Sequence, residues 1–284
     1  MAVATDPDLA IPAIAQPPKR VAAYGARAWK ATWPKLLAIA IVIGGWQIEV
    51  WSGWKKQYVV PSPFTVLDAL WHDPGTMLSA SWVTLTHGGQ GFLLSMLIGG
   101  AVGIAVARVP ILRAAIGSII TGLQTMPSVA WVPLAIILFH EGPGTVTFVV
   151  VLGAAPSIAN GIINGIDHVP PVLLRAGRVL GARGFGALRH VVIPAALPAV
   201  VGGLKQGWAF AWRSLMAAEL IGSLGGRLGI GQLLNGAQVQ DDYIGVFEAM
   251  IVILIIGILI DSLVFGTLDR AIRRRYGLID AAAT

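Results

Sequence analysis

The sequence predicts an all-α integral membrane protein of about six transmembrane helices, and three observations carry that reading. Of 284 residues, 56% are hydrophobic and only 12% charged, about half the ~25% charged residues of an ordinary soluble domain. Mean hydropathy is +0.75, and apolar runs of about 17–25 residues, bilayer-spanning length, recur along the chain. The roughly ten-residue alternation of a membrane β-barrel is missing. Cysteine is absent, which excludes disulfides, thiolate chemistry and cysteine-based metal sites.

Residues 1–35 read as a cytoplasmic tail. Its first part, to Pro18, is Ala/Pro-rich and lacks the basic start and apolar core of a signal peptide. Lys19 to Lys35 adds five positive charges with Trp29 and Trp33, suited to a helix at the membrane surface or to a solvated linker. A transmembrane domain follows over 36–268. Its first span runs from Leu36 to about Trp51, with Trp46, Trp51 and Trp54 as an interfacial belt. Pro61-Ser62-Pro63 forces an extended entry to a short helix near Val66–Trp71. The second span, about Leu85 to Ala107, carries Gly99, Gly100 and Gly103 at a spacing that allows close helix approach.

The third span, about Ala114 to Phe139, contains Pro127 and Pro133 and is expected to kink, because a continuous helix loses backbone hydrogen bonds there. The fourth covers about Val146 to Ile166, with Asn160 and Asn164 one turn apart for hydrogen bonding between helices. The fifth covers about Ala199 to Leu224 and the sixth about Gly245 to Leu268. The segment Gly225–Tyr243 between them reads as a loop, and its Gly225-Gly-Arg-Leu-Gly-Ile-Gly231 run as a flexible turn. Residues 269–284 form a basic tail.

Charge placement sets orientation. With the N-terminus inside, fifteen Lys and Arg fall in cytoplasmic segments and three (Lys55, Lys56, Arg227) outside, a positive-inside bias that puts both termini in the cytoplasm. The net charge of +6 is thus a topology signal, and nucleic acid is not an expected partner.

One cytoplasmic loop, 168–198, stands apart. Over Val172–Pro198 four arginines (Arg175, Arg178, Arg183, Arg189) alternate with apolar residues at helical spacing. Val172, Ala176, Val179 and Leu180 share one face, and Arg175 with Arg178 another. Gly181 breaks the pattern, a second apolar stripe starts at Phe185, and Pro194 and Pro198 punctuate the entry to the fifth span. This reads as helix, glycine turn, short helix and span.

Enzyme chemistry finds no foothold. No Walker A sequence and no G-x-S-x-G elbow occur, and the five histidines are scattered without metal-ligand spacing. Catalytic and metal-binding residues are therefore not expected. Arg213 and Glu219 are the deepest ionisable residues of the spans, and each must face protein or water. They line a solute pathway or hold helices together, and Trp131, Trp208 and Trp212 carry the same two readings. Lys205 lies near the cytoplasmic end of its span and can snorkel.

The loop also carries a resemblance. Arg175-Ala176-Gly177, three residues, Gly181, nine residues and Val191-Val192-Ile193-Pro194 resemble the E-A-A-x3-G-x9-I-x-L-P loop of the membrane (permease) subunits of bacterial binding-protein-dependent ABC importers. Pro61-Ser62-Pro63, Met126-Pro-Ser-Val-Ala-Trp-Val-Pro-Leu134 and Leu228-Gly-Ile-Gly231 are similar to the sulfonate/taurine/nitrate/bicarbonate branch. Arg175 stands where that pattern has an acid, and Gly177 where it has alanine.

The resemblance implies a type I ABC importer permease-like bundle in the bacterial inner membrane, with a cytoplasmic coupling helix that docks on an ATPase subunit. Arg175, Ala176, Gly177, Arg178, Gly181 and Pro194 would form that docking element. ATP and Mg would be held by the ATPase, and no cofactor by this chain. The implied partners are ATPase subunits, a second permease copy, an external substrate-binding protein and membrane lipid. The solute would be small and anionic. An ion-gradient-driven secondary transporter is the competing reading; it calls for paired acids deep in the spans and an internal repeat, neither evident here.

Overall fold

Proline places five of the helix starts. In a computed structural model that describes residues 20–222, 226 and 228–276, α2 (Pro63–His72), α3 (Pro74–Arg108), α4 (Pro110–Thr125), α6 (Pro143–Asp167) and α7 (Pro171–Val179) each begin on proline. The fixed φ and missing N–H of proline suit the first turn, where that donor has no helical partner anyway. The expected tails over 1–18 and 277–284 and much of the 223–227 turn lie outside the described residues.

The chain divides into two units at Pro63/Phe64. The first holds α1 (Arg20–Ser52), in which the expected surface helix and first span are one helix, apolar enough to cross a membrane from Thr32 to Ser52. Trp46 Nε1 donates to the Pro61 carbonyl at 3.1 Å, which ties the following loop back to that helix.

The second unit is a helical bundle. α3 starts eleven residues before the apolar run that announces it, because Asp73 caps it by accepting from the Thr76 N–H and hydroxyl. The third span is broken. Met126 and Pro127 are extended between α4 and a 3₁₀ turn at Ser128–Trp131, and α5 (Val132–Phe139) continues. The two limbs meet at 107°, a far sharper change than a kink, since proline both removes a donor and forces its predecessor to extend.

α6 is the centre of this unit, packed on α3 and on α9 (Ile193–Ile221). Small residues make that possible. A Cβ on Gly99 would stand 2.5 Å from the Ala155 carbonyl, and one on Gly103 2.9 Å from that of Ala159. Gly100 meets ordinary contact only. At the α6–α9 crossing a Cβ on Gly161 or on Gly203 would strike the Cα of the other, so the two backbones touch directly. Phe92 stands edge-on to Trp208 and Phe265, with ring centres 5.2 and 6.1 Å apart, and fills the core with Val150, Ile158 and Leu215. Asn160 donates to Gln124 Oε1 at 2.5 Å, the expected bond between helices.

The expected loop 225–243 contains α10 (Ile230–Val239). The last span runs unbroken from Tyr243 to Arg275 as α11 (Tyr243–Leu259), a π turn (Ile260–Phe265) and α12 (Gly266–Arg275), so the basic tail begins as helix. Among the described residues five stretches are long and apolar enough to cross a membrane, six when the bent pair counts as one.

Candidate functional site

Local sequence builds the 172–198 loop. Gly181 ends α7 at φ +83°, the left-handed region that glycine enters without a Cβ penalty. The N–H of Ala182 then reaches the Gly177 carbonyl at 2.8 Å, and that of Gly181 reaches Arg178 at 3.1 Å. This pair of bonds is a Schellman motif and satisfies the last carbonyls of the helix. Gly177 is buried, and a Cβ there would lie 2.7 Å from Val191 Cγ2. The glycine thus lets α7 rest on the chain returning to the bundle.

That return is one helix from Gly184 to Ile221, comprising α8 (Gly184–Ala187), a π turn (Leu188–Val192) and α9. Pro194 and Pro198 punctuate this helix without ending it. Pro194 is the second residue of α9, directly after the π turn, where it removes one donor from the helical ladder.

α7 presents its apolar face outward. Val172, Leu173, Val179 and Leu180 are exposed, the last two at 87%, while Gly177 faces the bundle. Phe185, past the turn, is exposed at 74%. Arg175 and Ala176 share the solvent side. Of the expected docking element, Arg175, Ala176, Gly177 and Arg178 lie on α7 and Gly181 at its end, whereas Pro194 lies on α9.

The remaining candidates separate. Glu219 is 1% exposed, and its Oε2 accepts from Thr84 Oγ1 at 2.9 Å and from the Gly231 N–H at 3.0 Å. Thr84 Oγ1 in turn accepts from the Ile230 N–H at 2.9 Å. One carboxyl group thus joins α3, α9 and the start of α10. Gly229 and Gly231 leave room for Glu219: a Cβ on Gly229 would run into its carboxyl group, and one on Gly231 would lie 2.5 Å from its Cβ. The described part of the expected flexible turn is therefore packed, and Gln232 holds it further by bonds to the Gly229 N–H and the Gly222 carbonyl. Thr84, Gly229 and Gly231 escape sequence reasoning; the signal was Leu228-Gly-Ile-Gly231 itself, close glycines after a buried acid.

Trp208 is 8% exposed, inside the core, and Trp131 packs against the same core. Trp212 stacks on Trp208 at 6.2 Å and borders an open groove of about 670 Å³ with Met216, Gly257 and Asp261. Arg213 lies on the exposed side of α9, its guanidinium over the Phe210 ring at 4.6 Å and its Nε donating to the Ala209 carbonyl. Lys205 pairs with Asp261 at 3.1 Å. Among the described residues no group of three or more His, Asp or Glu is placed to hold a metal ion.

Comparison with known proteins decides the family. Residues 93–276 match the family described as binding-protein-dependent transport system inner membrane component. The chain belongs to that family. A putative ABC transporter permease protein of Methanocaldococcus jannaschii is 30% identical over 72% of this chain and 78% of its own. The bicarbonate transport system permease protein CmpB of Synechococcus elongatus is 31% identical over 64% of each. The nitrate import permease protein NrtB of Leptolyngbya laminosa is 27% identical over 81% of this chain and 84% of its own. In fold the chain is similar to a subunit of the MetNI methionine ABC transporter in an inward-facing conformation, with TM-score 0.56 and 23% identity over 70% of this chain and 95% of that one. The protein is a multi-pass inner-membrane permease subunit of a binding-protein-dependent ABC importer, and its ATPase resides on a separate subunit.

Proposed function

We propose that this permease carries a small anionic solute and is driven by ATPase subunits that dock on the 172–198 loop. The observation that carries the coupling role is the outward apolar face of α7. Burying apolar area is favourable by about 25 cal/mol per Å², and Val172, Val179 and Leu180 at α7, and Phe185 past the turn, are all exposed on a loop braced by Gly177 and Gly181. Exposed apolar patches of this kind mark protein interfaces. Closure of two ATPase subunits would push α7, and the unbroken Gly184–Ile221 helix would carry that push into the bundle. The loop is cytoplasmic in this reading, as are both termini, following the positive-inside bias.

The solute class is supported by the relatives named for bicarbonate and nitrate and by Arg213. A guanidinium about two turns from the end of a span, with no carboxylate beside it among the described residues, calls for an aqueous or protein-lined face. A second copy of the chain around a shared central path provides that face, with Trp212 beside it, and an external binding protein delivers the solute. Trp208, Trp131 and Glu219 serve packing.

Substitution Gly181→Val tests the coupling role, because nothing surrounds that position within 4 Å and only the positive φ is disturbed. The chain stays inserted and uptake is lost. Normal uptake with normal ATPase association would overturn the assignment.

A further inference from the structure

A cavity of about 530 Å³ opens beside α7, lined by Arg108 at the end of α3, Leu174 and Arg178 on α7, and Arg183, Leu188 and Val191 past the turn. No carboxylate lines it. Asp167, at the end of α6, is taken by Arg113, whose Nη2 lies 2.7 Å from both of its oxygens. Among the described residues Arg108, Arg178 and Arg183 make no ion pair, whereas Arg213, Arg270 and Arg273 each donate to a protein acceptor. Three guanidiniums around one concavity focus a positive field on it and repel each other until an anion enters.

The setting selects the anion. The apolar run of α3 ends at Ala107, so Arg108 and the cavity beside it lie where the helix leaves the hydrocarbon, at the level of lipid headgroups. Its remaining wall is aliphatic. A guanidinium fork matches phosphate oxygens, and an aliphatic wall matches a glycerol backbone and the start of an acyl chain. Basic pockets between helices at a membrane face bind phospholipid headgroups in this way. We propose that this cavity is a binding site for the phosphate of an anionic phospholipid, wedged between the end of α3 and α7. The site stands on Arg108, Arg178 and Arg183 whatever partner covers the outer face of α7. An occupant there braces α7 from behind, so its lipid sets how firmly the loop is held.

Native mass spectrometry of the detergent-extracted full chain tests this, with phosphatidylglycerol, phosphatidylcholine or inorganic phosphate added. The expected result is a retained phosphatidylglycerol that phosphatidylcholine does not replace. Each of Arg108→Gln, Arg178→Gln and Arg183→Gln weakens it about fivefold, the contribution of one basic residue near an anionic lipid surface. Arg→Lys at the same positions keeps most of the retention, and Arg274→Gln, outside the cavity, changes nothing. All three side chains are exposed, so the single variants fold as the wild type does. Equal retention of phosphatidylcholine would overturn the proposal, as would displacement of the lipid by equimolar inorganic phosphate. A triple variant that keeps its lipid but loses the ATPase subunit would assign the arginines to the partner instead, and would overturn it too.

Discussion

Gly177 and Val191 touch so closely that a Cβ on the glycine would stand 2.7 Å from the valine's Cγ2. This contact fixes the distance between α7 and the helix that returns to the bundle. Alanine at 177 gains about 1 kcal/mol of helix propensity but overpacks the contact at a cost of about 1–3 kcal/mol. Gly177→Ala therefore lowers stability by about 1 kcal/mol. The double variant with Val191→Ala is more stable than the two singles combined predict, by a similar amount. Thermal unfolding of the four proteins in detergent reads this coupling.

Glu219 offers a second measurement. Removing its carboxyl group leaves Thr84 and the Gly231 N–H buried without an acceptor and opens a cavity. Glu219→Ala is expected to cost about 2–4 kcal/mol, with faster hydrogen exchange at Gly231. Glu219→Gln keeps one acceptor oxygen and loses less than half as much.

The α6–α9 crossing allows no side chain at its centre. Gly161→Leu drives the two backbones apart and prevents the bundle from closing, read as loss of a folded monodisperse species in detergent. Gly202→Leu, on the same stretch of α9 but with open space around it, leaves folding intact.

Arg213 separates the solute reading from mere packing. Arg213→Gln lowers uptake about tenfold or more, since a hydrogen bond to a charged group contributes roughly 1.5–3 kcal/mol. Its melting temperature stays unchanged because the side chain is exposed. Arg213→Lys recovers part of the uptake.

The spans were legible because apolar length alone marks them, and the 172–198 loop because glycine and proline spacing survives without tertiary context. What escaped depends on partners distant in sequence. α10 carries Gln232, Asn235 and Gln238, which blur its apolar stripe, and its first turn is held by Glu219 and Thr84 from other helices. Pro127 and Pro156 look alike locally, yet one sits at a 107° bend and the other inside the continuous helix α6. Burial of Pro156 among packed helices makes the difference. Trp208 and Trp212 are four residues apart, and only the contacts of α9 put one in the core and the other at a groove.

The coupling role of α7 is tested most directly by Val179→Asp with Leu180→Asp, assayed for co-purification of the system's own ATPase subunit and for ATP hydrolysis in proteoliposomes. Both side chains are 87% exposed, so the lone chain should melt at the wild-type temperature. Loss of the ATPase subunit and of permease-dependent hydrolysis is the expected result. A variant that retains the ATPase subunit and full hydrolysis would contradict docking through this face.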